Sequence, residues 1–234
     1  MSDLLVITGA SRGIGLATAR RFLARGAAVV NLSRSPCPLP GVLQLTVDLA
    51  LAGFEQALEA PLAAVAADRD RIVLIHNAAW LVGDSASDVD SAALSRALAV
   101  NVVAPAVLNR MLIPKMQRGS SIVYVGSTLS EKAVAGVFSY IVSKHAGVGM
   151  MRATCQDLLG RGIHTVCVCP GVTNTEMVQQ RVGGHQAELA TLRSMTGEGR
   201  LIESDEIAAI LELAADHPVL NGTMLHANLG QRER

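Results

Sequence analysis

The chain has 234 residues, half of them hydrophobic, with 20 basic and 20 acidic side chains and a formal net charge of zero. That size suits one domain with a sizeable core, and the even charge balance, without a basic tract, gives little support to a nucleic-acid surface, so no nucleic-acid partner is expected. No uninterrupted apolar run reaches the roughly 20 residues of a membrane-spanning helix, and the start MSDLLVITGASRGIG lacks the basic n-region and cleavage site of an export signal, so a cytoplasmic protein with no membrane partner is expected.

The run LLVIT at 4–8 predicts a first strand, and IGLATARRFLARG predicts an amphipathic helix closed by Gly26. Between them, TGASRGIG places Gly9, Gly13 and Gly15 in the spacing Gly-x-x-x-Gly-x-Gly rather than Gly-x-Gly-x-x-Gly, with Ser11, Arg12 and Ile14 completing the turn. Glycines there permit a tight turn and close backbone approach, and the helix N-terminus offers free N–H groups to a pyrophosphate. AAVVNLS is a second strand. Where NAD-binding folds place an acid about 20 residues past the glycines, Ser33 and Arg34 stand instead, and no Asp or Glu occurs between Asp3 and Asp48. With Arg12, that makes two guanidiniums and no competing carboxylate, which suits a 2′-phosphate. NADP(H) is therefore expected in preference to NAD(H).

VLQLTV is a third strand, followed by Asp48, placed to accept from an adenine amino group, and Leu49. A helix-like stretch, FEQALEAPLAAVA, contains Pro61; the strand RIVLIHN and a long helical region across 91–116 come next. SSIVYVGS is a fifth strand, a helix is expected from about Tyr140 to Leu159, and IHTVCVC is a sixth strand. SDEIAAILELAADH predicts a last helix with Ser204 as N-cap, and GTMLHAN a closing strand. Strands alternating with helices imply right-handed crossovers and a Rossmann-type doubly wound parallel sheet, helices on both faces and ligands at the carboxyl ends of the strands. The whole chain, 1–234, reads as a single domain. The polar, glycine-punctuated stretch 173–203 is expected to be a mobile flap, hinged at Gly183-Gly184. No metal site is expected: Cys37 and Cys155 are isolated, and Cys167 and Cys169 alternate onto one face of a strand as core residues.

In FSYIVSKHAG, Tyr140 and Lys144 are four apart, one turn along the same helical face. A phenol is a sluggish proton donor at neutral pH, and an ammonium one turn away favours the phenolate. An ordinary exposed pair has the same spacing, and the two residues alone do not choose between the readings. Together, TGASRGIG, VDL at 47–49, HNAA at 76–79, Asn101, Ser127, Tyr140-x-x-x-Lys144 and PGVTNT at 170–175 resemble, in order and from end to end, the short-chain dehydrogenase/reductase family.

That resemblance implies an oxidoreductase interconverting a small-molecule carbonyl and a secondary alcohol by hydride transfer. Tyr140 would be the general acid/base, Ser127 would hydrogen-bond the substrate oxygen, and Lys144 would tune the tyrosine and hold ribose. Asn101 matches the fourth catalytic position, and Pro105, four residues later, removes the N–H that would bond its carbonyl, which should kink the helix and free that carbonyl for a relay water. Asn77 and Ala78, with Pro170, Gly171, Val172, Thr173 and Thr175, would border the cofactor.

His76 and Ala79 stand where the family usually has Asn and Gly, and Asn228-Leu229-Gly230 where Asp-Gly-Gly is common. His76 reads as a hydrogen-bonded structural histidine rather than a further proton donor. Trp80, Leu129, Val134, Val137 and Met177 are expected pocket walls for a mainly apolar substrate portion. By resemblance the chain would pair through its long helices into a homodimer or homotetramer. Two rivals are a non-catalytic NADP(H)-sensing module, which needs only the glycine turn, and a dehydratase or epimerase, for whose larger substrate domain the chain has little room.

Overall fold

The computed structural model describes residues 3–183 and 185–232. Among them, seven strands form one parallel sheet: β1 (Asp3–Thr8), β2 (Ala28–Ser33), β3 (Val42–Thr46), β4 (Arg71–His76), β5 (Ser121–Val125), β6 (His164–Pro170) and β7 (Met224–Ala227). The helices are α1 (Gly13–Ala24), α2 (Glu59–Ala66), α3 (Ser91–Leu98), α4 (Ala104–Leu112), α5 (Phe138–Asp157), α6 (Glu176–Val182), α7 (Gln186–Ser194) and α8 (Ser204–Asp216). This is the expected Rossmann-type doubly wound sheet, ordered β3-β2-β1-β4-β5-β6-β7. The order reverses between β1 and β4, which opens a crevice beyond their carboxyl ends.

The strands are continuously apolar because both faces are covered. Leu5, Ile7, Val73, Ile75, Val123 and Val166 pack under Phe22 of α1 and Ile207 and Leu211 of α8. Their alternating neighbours Leu4, Val6, Ile72, Leu74 and Ile122 pack under Leu62 of α2, Leu108 of α4 and Met151 of α5. Cys167 and Cys169 both belong to this second layer, as their alternation predicts, and every cysteine is a free thiol. Ion pairs hold α1 beside α8: Arg21 reaches Glu212 at 2.9 Å and Asp205 at 3.0 Å, and Arg25 reaches Asp216 at 2.7 Å.

The helical region expected across 91–116 is broken. Between α3 and α4 the chain makes a π turn at Ala99–Val103, where the Ala104 N–H reaches the Ala99 carbonyl. Pro105 is the physical reason: it cannot donate to Asn101, and the ladder takes up an extra residue there. Taken together, Ser91–Lys115 spans 25 residues and contains an 18-residue stretch with a mean hydropathy of 1.5, long and apolar enough by composition to cross a membrane. Here it lies along the sheet, with Ala97, Ala104, Leu108 and Leu112 buried.

One further expectation is corrected. The N-cap of α8 is Glu203, whose backbone N–H is bound by Glu206 at 2.8 Å; Ser204 is already helical and its hydroxyl turns to the Asn174 carbonyl at 3.4 Å. In the stretch 173–203, expected to be a flap, α6 and α7 form a helical hairpin around buried Val182, Leu189 and Leu201. Gly183 caps α6 at a φ of 58°, while Gly184, the other half of the expected hinge, lies outside the described residues, as do positions 1, 2, 233 and 234 of the expected domain.

Candidate active site

The glycine turn leaves β1 at Thr8, and its shape is fixed from two sides. Gly9 and Gly13 have φ values of 74° and 54°, a region that penalises any Cβ. Gly15 is needed for a different reason: a Cβ there would lie 2.3 Å from the Gly9 carbonyl oxygen and 2.5 Å from Asn77 Nδ2. Asn77, just past β4, donates that amide to the Thr8 and Gly9 carbonyls at 2.9 and 3.0 Å. The Thr8 hydroxyl accepts from Asn77 N and Ala78 N at 3.0 and 2.9 Å. On the other side, buried Asn31 of β2 accepts from Ala10 N at 2.8 Å. Asn31 was not among the expected site residues; its only signal is a lone amide inside the apolar run AAVVNLS.

From this turn a cleft of about 700 Å³ runs along the carboxyl ends of the strands. Gly9, Ser11, Arg12, Gly13 and Ile14 line it, as do Ser33, Arg34, Asp48, Leu49, Asn77 and Ala78. So do Pro170, Gly171, Val172, Thr173 and Thr175, and at the far rim Ser127, Tyr140 and Lys144. Gly15 lies behind the turn and Asn101 behind the rim. Of the expected pocket walls, Trp80, Leu129, Val134 and Met177 face the cleft. Val137 does not: it is fully buried at the entry to α5, because the chain needs an apolar anchor where it turns into the helix.

At the rim, Tyr140 and Lys144 share one face of α5, with Lys144 Nζ 5.4 Å from the phenol ring centre. Both are largely buried, and the ammonium donates to the Val125 carbonyl at 2.7 Å. Ser127 has extended backbone beyond β5. Its Oγ accepts from Leu129 N at 3.1 Å, while its own N–H is bound by Ser130 Oγ at 3.0 Å. The hydroxyl hydrogen of Ser127 therefore remains available to donate. Asn101 is buried and fully engaged through its side chain. It donates to Ser143 Oγ at 2.8 Å and to the Trp80 carbonyl at 3.0 Å, and accepts from Trp80 N at 2.8 Å. Ser143 in turn donates to the Tyr140 carbonyl at 2.7 Å. The amide of Asn101 thus ties the loop after β4 to the helix that carries the tyrosine.

A second tie was not expected from the sequence. Asp84, buried in the loop after β4, accepts from Ser139 N at 3.0 Å and from the Ser139 hydroxyl. A carboxylate capping free N–H groups at the first turn of α5 is favourable both as a hydrogen bond and against the helix dipole. It fixes the residue directly before Tyr140.

Three contacts bear on what the cleft can hold. Arg34 has no ion-pair or hydrogen-bond partner among the described residues, whereas Arg12 reaches Glu176 of α6 at 3.0 Å. Asp48 accepts from Ala50 N at 3.0 Å and lies 3.8 Å from Arg96, whose guanidinium sits over the Trp80 ring at 5.8 Å. Val172 N is bound by the side-chain carboxamide of Gln231 at 3.3 Å, a further cleft residue the sequence did not flag. A volume within the usual range for small-molecule sites, a glycine turn that lines the cleft, and an unpartnered guanidinium at the β2 end fit a dinucleotide.

The departure at His76 is also resolved. The ring is buried, with Nε2 2.8 Å from Asn109 Oδ1 and its centre 4.9 Å from that of Tyr124. Asn109 Nδ2 donates to the Tyr124 hydroxyl at 2.7 Å, which leaves Oδ1 to face the imidazole. His76 is a structural residue of the core, as expected, and does not face the cleft.

Comparison with known proteins agrees with this architecture. A family model described as short chain dehydrogenase matches residues 3–185. Short chain dehydrogenase ausX of Penicillium brasilianum is 34% identical over 200 residues, covering 82% of this chain and 77% of that protein. A 2-(R)-hydroxypropyl-CoM dehydrogenase of Xanthobacter autotrophicus is 32% identical over 200 residues, covering 78% and 79%. Among solved structures, a blue fluorescent protein from a metagenomic library in complex with NADPH superimposes with a TM-score of 0.86 at 27% identity, over 97% of each chain.

Proposed function

The chain belongs to the short-chain dehydrogenase family, and on that premise we propose that it is an NADP(H)-dependent oxidoreductase interconverting a small-molecule carbonyl and a secondary alcohol. When bound, the nicotinamide supplies or accepts the hydride. Everything else falls to the chain's own residues.

Tyr140 delivers a proton to the substrate oxygen in reduction and takes it back in oxidation. Ser127 uses its free hydroxyl hydrogen to hold that oxygen, stabilising the charge that develops on it. Lys144 spends one of its three N–H donors on the Val125 carbonyl, so two remain for ribose hydroxyls and for the field around the phenol. Asn101 acts through its backbone carbonyl, left without the N–H that Pro105 lacks, to seat a water that reconnects Lys144 to solvent. Arg34 and Arg12 take the 2′-phosphate, and Gly9, Gly13 and Gly15 admit the pyrophosphate. Val172 N turns from Gln231 to the carboxamide, and Thr173 and Thr175 border the phosphates. Trp80, Leu129, Val134 and Met177 wall the substrate end. The hairpin of α6 and α7 serves as a lid within one domain. The outer face of α5, where Gly147 and Gly149 look onto open space and Val142 is exposed, pairs copies into a homodimer or homotetramer in the cytoplasm.

One observation carries this reading: a phenol, an ammonium and a hydroxyl share one rim of the cleft into which the glycine turn opens. A sensor needs only the turn. The direct test is NADPH and NADH oxidation over a panel of small ketones and diketones, after fluorescence titration with both dinucleotides. Turnover with NADPH supports the reading; tight NADPH binding without turnover of any carbonyl supports the sensor instead.

A further inference from the structure

Glu176, the first residue of α6, places its carboxylate 3.0 Å from Arg12 Nη1. Its neighbour Thr175 is the N-cap of the same helix, and a Cβ on Gly13 would meet Thr175 Cγ2 at 3.4 Å. The lid helix therefore starts directly over the glycine turn. Both members of the ion pair are more than half exposed, 55% and 58%, so the guanidinium is free to change partner. No other carboxylate pairs with Arg12 among the described residues, and Arg34 has none.

Resting on the NADP(H) reading, we propose that Glu176 is a specificity-determining residue that competes with the cofactor 2′-phosphate for Arg12. A phosphate monoester carries close to two negative charges and three acceptor oxygens, so it outbids one carboxylate for the guanidinium. The displaced Glu176 stays nearby as a like charge and opposes the phosphate. NAD(H) has no such group and leaves the pair intact. Glu176 thus narrows the preference that Arg12 and Arg34 establish, and the same exchange unties the lid from the glycine turn only when the phosphorylated cofactor binds.

The experiment measures dissociation constants for NADPH and NADH at low ionic strength, by quenching of the single tryptophan, Trp80, in the wild type, Glu176→Gln, Arg12→Gln and the double variant. Glu176→Gln should tighten NADPH by about two- to fivefold, the range of an exposed ion pair, and leave NADH unchanged. In the Arg12→Gln background the Glu176→Gln gain should shrink or vanish. A wild type that prefers NADPH, with an affinity ratio unmoved by Glu176→Gln, overturns the proposal alone; so does a gain that is undiminished without Arg12. A wild type that binds NADH more tightly overturns the cofactor reading, and the proposal with it.

Discussion

His76 gives this fold a built-in acid sensitivity. Its Nε2–H donates to Asn109, and its Nδ1 is buried with no partner among the described residues, so a second proton would sit uncompensated in the core. Burial pushes the imidazole down from the ordinary 6.5 to about 4, and the Asn109 hydrogen bond only partly offsets it. Above pH 6.5 the ring is neutral in both folded and unfolded chains. Between 6.5 and about 4 the unfolded chain takes up a proton that the folded one refuses, so stability falls as the pH drops and levels off below. At about 1.4 kcal/mol per pH unit, the loss over that window is roughly 3 kcal/mol. Urea unfolding of the wild type and His76→Asn at pH 7, 5.5 and 4 isolates it, because carboxylates common to both cancel. The wild type should lose roughly 3 kcal/mol more than the variant between pH 7 and 4. A difference between the two that stays constant with pH refutes the reasoning.

Gly15→Ala forces a methyl to 2.3 Å from the Gly9 carbonyl; overpacking of this kind should cost roughly 1–3 kcal/mol in thermal or urea unfolding and weaken both dinucleotides, and unchanged affinity would show that the turn tolerates a shift. Asp84→Ala removes the cap on Ser139 and should cost roughly 1–3 kcal/mol of stability, with turnover falling as Tyr140 loses its fixed neighbour; a loss under about 0.5 kcal/mol, the level of an ordinary surface change, would contradict the cap. Arg34→Ala should weaken NADPH by roughly tenfold or more, as expected for loss of charge-assisted hydrogen bonds, while NADH binding, followed by Trp80 quenching, stays level; equal losses for both would exclude a 2′-phosphate role.

How much of this was legible in the sequence depended on whether a residue's role is local. The strands read directly, because a strand covered on both faces must be an apolar run, and LLVIT, RIVLIH and SIVYV can be little else. The glycine spacing and the Tyr140–Lys144 turn are local patterns, and the fold brings them to one cleft. Pro105 signalled a disturbance, though not that it would be a π turn. What stayed hidden are partners remote in sequence. Asp84 caps a helix that begins at Phe138, and Asn31 steadies a turn at Ala10. Glu176 finds Arg12, and Gln231 finds Val172. Ser204 misled for a related reason: serine is the favoured cap by propensity, but Glu203 and Glu206 supply a reciprocal bond one residue earlier.

The central claim is that Tyr140 moves the proton at this rim. Its most direct measurement is NADPH oxidation with a ketone that the wild type reduces, repeated with Tyr140→Phe, alongside NADPH titration of both proteins. The account predicts a fall in turnover of roughly 10²–10⁴-fold with NADPH affinity essentially kept. Near-normal turnover in Tyr140→Phe would contradict it.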